Sequence, residues 1–297
     1  MTPAGAGFFQ DCDKIMSNIR ESAAFDRVGH PRAQIVTLKR DYPDGQFFAS
    51  HFHDRDQVVY ASRGVMTVRT EQGIWVVPAP RAVWIPARTP HEVRMSGRVS
   101  LRTLYLTCGL ARQLPRTCCV LNVSPFFKEL ILHACEFFTL ERRVKMQAHL
   151  ISVILDQLDQ VRTVPFQLPQ PLDSRARHVA EVLIENPAGE RPIEEICQSA
   201  GGSKRTIERL FQRETGLSLG RWRQQLKLMQ ALQLLARGEK IANAAAGAGY
   251  STPSAFISSF KQAMGVTPGK YFHEPEEDAG EAAPMETHRN RLDHTAA

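Results

Sequence analysis

Arg205, Glu208 and Arg209 fall at i, i+3 and i+4 and would form one polar stripe on a helix. Arginine can pair bidentately with guanine in a major groove, at ~1–3 kcal/mol per good pair. Such a stripe can also be a plain solvated face. A second constellation is His51-x-His53-x3-Gln57, with His91 farther along. Two histidines at i and i+2 on a strand point to one face. A third from a neighbouring strand would complete a facial set suited to Zn, Ni, Cu or Fe. Gln57 is a neutral and therefore weak ligand. Without metal, the same rings would line a small-molecule pocket.

The stripe needs a helix to carry it, and the surrounding residues supply one twice. Ile193–Gly216 and Lys240–Gly265 each read as a short helix, a small residue, three residues and a glycine (Cys197 to Gly201, Ala245 to Gly249), followed by a serine opening a second helix (Ser203, Ser251). The turn glycines allow positive φ, and Ser203 can cap its helix for about 1 kcal/mol. Apolar pairs four apart, Ile207/Phe211 and Phe256/Phe260, mark the buried side of each second helix. Between the units, Leu219 to Arg237 predicts one helix with Leu219, Trp222, Leu226, Met229, Leu232 and Leu235 on a stripe and Gly238 as its stop. At 1.5 Å per residue it would span ~28 Å. A rod of that length can hold two helices about one DNA turn apart. Arg221, Arg223 and Lys227 on it are candidate phosphate contacts.

These residues resemble the AraC/XylS family of bacterial transcription regulators from about Arg175 to Phe272. The likeness is carried by Ser203-x-Arg205-x-Ile207-x-Arg209-x-Phe211, Gly249-Tyr250-Ser251, Phe256-x3-Phe260-Lys261 and Gly265-x-Thr267-Pro268-x2-Tyr271. The resemblance implies base contacts at Arg205, Glu208 and Arg209 in the first unit and at Pro253, Ser254 and Ser258 in the second. Ser203, Lys204, Arg213 and Lys261 complete the expected DNA-binding set. Ser258 stands where the family often has a long polar residue, Pro253 has no side-chain donor, and Ala244 is smaller than the common residue there. The first unit is therefore expected to carry most of the sequence reading. The second would supply shape, thymine-methyl and phosphate contacts.

Charge agrees with a nucleic-acid partner. Of a net +6, residues 175–272 carry 14 Lys/Arg against 8 Asp/Glu, and residues 273–297 carry 2 against 7. A basic module fits phosphate binding that weakens steeply with salt. No apolar run reaches the length of a membrane span, and the start lacks a signal peptide's pattern, so a cytoplasmic protein is expected. The six cysteines (12, 108, 118, 119, 135, 197) follow no CxxC spacing and read as free thiols.

Residues 28–110 read as short strands about ten residues apart, divided by Gly, Pro and Asp, which argues an all-β barrel or sandwich. Gly45-x5-His51-x-His53-x3-Gln57-x6-Gly64 resembles the first cupin motif, with Gln57 at the usual Glu position, and Pro86-x-Arg88-x2-His91 partly resembles the second. The resemblance implies a cupin-like barrel that senses a small effector. Its candidate pocket is His51, His53, Gln57, Tyr60, Trp84 and His91, with Arg55 and Asp56 as further candidates. No cofactor is required, though His51, His53 and His91 could take a divalent transition metal.

The expected architecture is therefore multidomain α and β: a cupin-like barrel (28–110), helices that dimerise or cover it (120–163), a Pro-rich linker (164–173), an all-α double helix-turn-helix (174–272) and an acidic disordered tail (273–297). The expected function is a sequence-specific DNA-binding regulator, with double-stranded DNA, an effector and a second copy as partners, RNA polymerase as a candidate partner, and no membrane. Two other readings stay open: a cupin-type metal-dependent enzyme with a DNA-binding tail, and an architectural DNA binder without an effector.

Overall fold

The computed structural model describes residues 32–79, 81–164, 167–189 and 191–272. The expectations for Cys12 and for the acidic tail lie outside them.

The N-terminal domain is one bent sheet of β1 (Ile35–Tyr42), β2 (Phe47–His51), β3 (Arg55–Thr70), β4 (Gly73–Pro78), β5 (Arg81–Ile85), β6 (His91–Thr107), β7 (Cys119–Asn122), β8 (Thr139–Leu140), β9 (Thr163–Val164) and β10 (Leu168–Pro169). Its spine is the antiparallel pair β3–β6, in register from Arg55↔Thr107 to Arg69↔Glu92. The short strands expected on either side of Gly64 and Gly97 are fused into these two long ones. Both glycines have positive φ, and the β3–β6 register shifts between Ala61 and Val65. Each works as a bulge that bends a continuous strand rather than as a turn. A Cβ at Gly64 would sit 2.5 Å from the Arg98 carbonyl oxygen. The hydrogen-bonded path β8-β1-β6-β3-β5-β7-β9 stays open. The sheet is thus cupin-like in layout but does not close into the expected barrel.

Helices α1 (Pro125–Ala134) and α2 (Lys145–Gln160) cover one face of this sheet. Ser124 caps α1 by accepting from the Phe127 amide, with Pro125 at the first turn. Phe127, Ile131, Ile151 and Ile154 pack with Tyr60, Trp84 and Leu104 into one core. The Pro-rich segment expected to be a linker is partly strand: β10 pairs with β4 through Leu168↔Ile74, and Pro169 accepts a 2.8 Å hydrogen bond from the Trp222 indole.

The C-terminal domain comprises α3 (Ser174–Glu185), α4 (Ile193–Ser199), α5 (Lys204–Thr215), α6 (Leu219–Ala236), α7 (Ile241–Gly247), α8 (Pro253–Met264) and α9 (Pro268–Phe272). α3 escaped the sequence reading, although Asp173 as its cap and Ala176, Val179, Ala180 and Leu183 at helical spacing mark it. The apolar sides of these helices and one face of the sheet belong to a single buried cluster, from Val59 and Trp75 to Trp222 and Phe260.

Candidate nucleic-acid interface and histidine cluster

The two modules form as their punctuation dictates. In the first, Gly201 turns with φ 77°, Ser203 accepts from the Thr206 amide at 3.2 Å, and Gly216 ends α5 in the left-handed conformation. In the second, Gly249 turns with φ 78° and Gly265 ends α8. The cap of α8 is Thr252, whose side chain accepts from the Ala255 amide at 3.1 Å, one residue beyond the Ser251 read as opening that helix. Ile207, Leu210, Phe211, Phe256 and Phe260 are buried, which turns the opposite faces of α5 and α8 outward.

Arg205, Glu208 and Arg209 are all exposed. Among the described residues none of them is engaged in an ion pair, so the stripe is available to a ligand. Three other expected contacts are already engaged. Ser203 holds the cap, Lys204 pairs with Glu194 at 2.8 Å, and Arg213 pairs with Glu214 at 2.7 Å. Glu214 in turn accepts from the Leu172 and Asp173 amides. Pro253, Ser254, Ser258 and Lys261 are exposed on α8. Lys227 departs from its expected phosphate role. It is half-buried, donates to the Gly249 carbonyl and lies 5.9 Å from the centre of the Tyr250 ring.

The modules are clamped as well as joined. A Cβ at Gly249 would lie 2.9 Å from Pro187 O and Ala188 Cα, so only glycine lets the second turn meet the α3–α4 connection. Gln224 on α6 donates to Ser259 on α8 at 2.9 Å. Ala244 is fully buried against this helix pair, and the tight approach at Gly247, whose Cβ would meet Leu234 at 3.0 Å, explains the small residues of α7. Such long-range ties leave no mark in local spacing.

In the sheet domain the three histidines come together. The ring centres of His51 and His91 are 4.4 Å apart, those of His53 and His91 5.3 Å, and those of His51 and His53 6.5 Å. Each Nδ1 lies 2.7–2.8 Å from a backbone carbonyl, of Ala49, Arg55 and Thr89 respectively. A carbonyl only accepts, so each Nδ1 bears a proton, and the buried, neutral His91 ring keeps a lone pair at Nε2. The Nε2 of His53 meets the Gln57 amide at 2.8 Å. That of His91 is buried with no partner among the described residues. Burial lowers the His51 pKa, and burial with the neighbouring His51 lowers that of His91 to about 3. Among the described residues no group of three or more His, Cys, Asp or Glu side chains is disposed to hold a metal ion; His53 has both nitrogens engaged.

Tyr60 and Trp84, expected in the same pocket, are elsewhere. Residues 57 and 60 differ by an odd number on one strand and so face opposite sides. Tyr60 and Trp84 lie in the core under α1 and α2, where the Trp84 indole donates to Pro115 O at 2.8 Å. Burial raises the Tyr60 pKa to about 12. Arg55 and Asp56 are structural: Arg55 holds Ala33 O and Thr107 Oγ1, and Asp56 accepts from the Ala87 and Gly109 amides.

Comparison with known proteins adds an independent line. Residues 33–177 match the family model described as AraC-like ligand binding domain, and residues 175–274 match a helix-turn-helix domain. The chain is 35% identical over 221 residues to the HTH-type transcriptional regulator NimR of Escherichia coli, which covers 74% of this chain and 81% of the relative. It is 34% identical over 113 residues to the HTH-type transcriptional regulator RipA of Corynebacterium glutamicum, covering 38% of this chain and 33% of that one. Among solved structures, unsaturated fatty acid bound ToxT from Vibrio cholerae aligns at 12% identity and a TM-score of 0.34, covering 80% of this chain and 94% of that one.

Proposed function

The chain belongs to the AraC-type transcription regulators, and we propose that it reads its operator mainly through Arg205, Glu208 and Arg209 while an effector in the sheet domain sets its DNA affinity. The observation that carries this reading is the α5 stripe: three exposed polar side chains, in no ion pair among the described residues, on a capped helix, beside a second capped helix fixed to the same rod. The expected base-contact positions of α8 offer Pro253, Ser254 and Ser258 outward, without a long polar side chain, so α8 contributes shape and phosphate contacts.

The effector would be held at the histidines. His91 Nε2 is a buried acceptor in need of a donor, and an unpaired buried acceptor costs about 1–3 kcal/mol. An effector bearing an N–H or O–H donor satisfies it and binds the folded domain selectively. We read this as binding and not as catalysis; turnover of any substrate that disappears in His51→Ala would overturn that. The protein acts as a homodimer through α1 and α2, next to which Phe126, Phe138 and Met146 are more than half exposed; sedimentation of Met146→Asp as a monomer is the check. No helix among the described residues is long and apolar enough to cross a membrane, in keeping with action in the cytoplasm.

The test is selection of genomic fragments by purified protein at ~150 mM salt, with Arg209→Ala alongside. A few strongly enriched sites that vanish in the variant support the reading. Equal enrichment in both proteins refutes it.

A further inference from the structure

The described part of the Pro-rich segment, residues 167–173, is bonded along its whole backbone. On one side it meets the sheet. Leu168 pairs with Ile74, and the Gln170 amide donates to Gln72 O at 3.2 Å. A Cβ at Gly73 would sit 2.8 Å from Leu168 O, so glycine is what admits this strap against β4. On the other side it meets the DNA-reading helices. Gln225 and Trp222 of α6 donate to Gln167 O at 2.5 Å and to Pro169 O at 2.8 Å. Arg177 of α3 donates to Pro171 O at 3.3 Å. The Leu172 and Asp173 amides donate to Glu214 Oε2 at 2.8 and 2.9 Å.

Glu214 sits against its local preference. It lies in the last turn of α5, where a negative charge opposes the helix dipole, and its side chain is only 11% exposed. The two strap amides take one carboxylate oxygen and the Arg213 guanidinium takes the other. These partners, the Asp173 amide first, hold its pKa below the usual carboxylate range. The opposite end of α5 is fixed by the Ser203 cap and by the Lys204–Glu194 pair. Arg205, Glu208 and Arg209 therefore stand between two pins. A helix pinned at one end alone could swing on its buried side, Ile207 and Phe211.

We infer that Glu214 is a positioning residue for DNA reading: by gripping the strap it fixes the bearing of α5, and with it Arg205 and Arg209, without touching DNA itself. The inference rests on the reading of that stripe as the base-contacting surface. Charge-assisted hydrogen bonds add geometric specificity as well as strength, and the strap they grip is anchored apart from α5, on β4 and α6. The stripe thus meets the groove already ordered, and the cost of fixing α5 is not charged to binding.

The test compares the parent chain with Glu214→Gln, which keeps the size and loses the charge, and with Leu172→Pro, which removes one amide donor and leaves Glu214 intact. Leu172→Ala is the control, since that side chain is 74% exposed. The probes are the duplex most enriched by the parent in genomic selection and a scrambled duplex of the same composition. Affinity for the enriched duplex should fall about fivefold in Glu214→Gln and in Leu172→Pro, with no loss on the scrambled one. A pure charge effect has the opposite sign, because removing an acidic group beside phosphates tightens binding to every duplex. The double variant should lose little more than either single one, since both break the same contact. Should Leu172→Pro not fold, the Glu214→Gln ratio decides. A lowered urea midpoint with the ratio between duplexes unmoved, equal tightening on both duplexes, or a loss in Leu172→Ala as large as in Leu172→Pro overturns the inference. If the parent prefers no duplex, the stripe reading falls and takes this inference with it. A parent that discriminates, beside a Glu214→Gln that discriminates equally well, overturns this inference alone.

Discussion

Gly97→Ala should undock the DNA-reading helices from the sheet. Gly97 has φ 71°, a conformation costing an alanine about 1–2 kcal/mol. The new Cβ would also lie 2.8 Å from the Ala236 carbonyl carbon and closer still to its oxygen, against an ordinary carbon contact of about 3.5–4.0 Å. Both partners are backbone, so no rotamer relieves the clash and the surfaces must part by roughly 1 Å. At that separation the 2.7 Å Gln233–Thr67 hydrogen bond fails, a further loss of about 0.5–1.5 kcal/mol. Asp44 accepts from both the Gly97 amide at 2.8 Å and Arg237 Nε at 3.3 Å. The Asp44–Arg237 pair is largely exposed and adds only a few tenths of a kcal/mol. The backbone strain burdens the β6 bulge whether docked or not, so the docked arrangement itself loses about 1–2 kcal/mol from these cross-contacts. Gly45→Ala is the control. Gly45 has φ 79° with nothing within 4 Å of a Cβ, so it carries the backbone strain without the clash. Amide exchange at Thr67 and its β3 neighbours, and at the end of α6, should speed up in Gly97→Ala and stay unchanged in Gly45→Ala. Identical exchange in the two variants would refute the reasoning.

Three other outcomes are expected. Arg209→Ala should weaken specific DNA binding by about 1–3 kcal/mol while Ser258→Ala changes it far less; equal losses in a titration would remove the asymmetry between the modules. Phe260 is fully buried and its ring centre is 5.5 Å from that of Tyr271, so Phe260→Ala should cost about 3–5 kcal/mol in urea unfolding, and a loss under 1 kcal/mol would mean that the second module is loosely packed. His91 is held neutral with a pKa near 3, while the unfolded chain takes up its proton near pH 6.5. Its contribution to stability is therefore complete above pH 6.5 and declines as pH falls from there toward 3, by at most about 1.4 kcal/mol per pH unit. His91→Gln should consequently lose less stability than the parent between pH 7 and 5, and a steeper loss in the variant would contradict the burial argument.

The DNA-reading half was legible because its signals are local. Gly201, Gly216, Gly249 and Gly265 announce left-handed turns, Ser203 announces a cap, and the 3.6-residue period separates Ile207 and Phe211 from Arg205 and Arg209. The gathering of His51, His53 and His91 was legible too, from strand parity and motif spacing. Parity was the rule that should have kept Tyr60 out of that group. Gly64 and Gly97 misled because a positive φ serves a bulge as well as a turn, and only pairing between distant strands decides which. The docking of α6 on the sheet and the strand inside the Pro-rich segment depend on contacts such as Gln233–Thr67, 166 residues apart. No local pattern encodes those.

The rod α6 has one further consequence, in the geometry of a wound duplex. It is gripped by the sheet at its far end, by α5 through Phe211 and Trp222, and by α8 through Gln224. The Gly249 contact locks the second module to the first. Tilting the rod on the sheet therefore swings both recognition helices as one rigid body, and the distance between the grooves they enter stays constant. In the proposed homodimer, what such a tilt would change is angular phase: the bearing of one copy's pair of grooves relative to those engaged by the second copy along the same DNA. A regulator built on this rod should be indifferent to its signal within a half-site, and sensitive to it when the spacing between two half-sites is altered by half a helical turn.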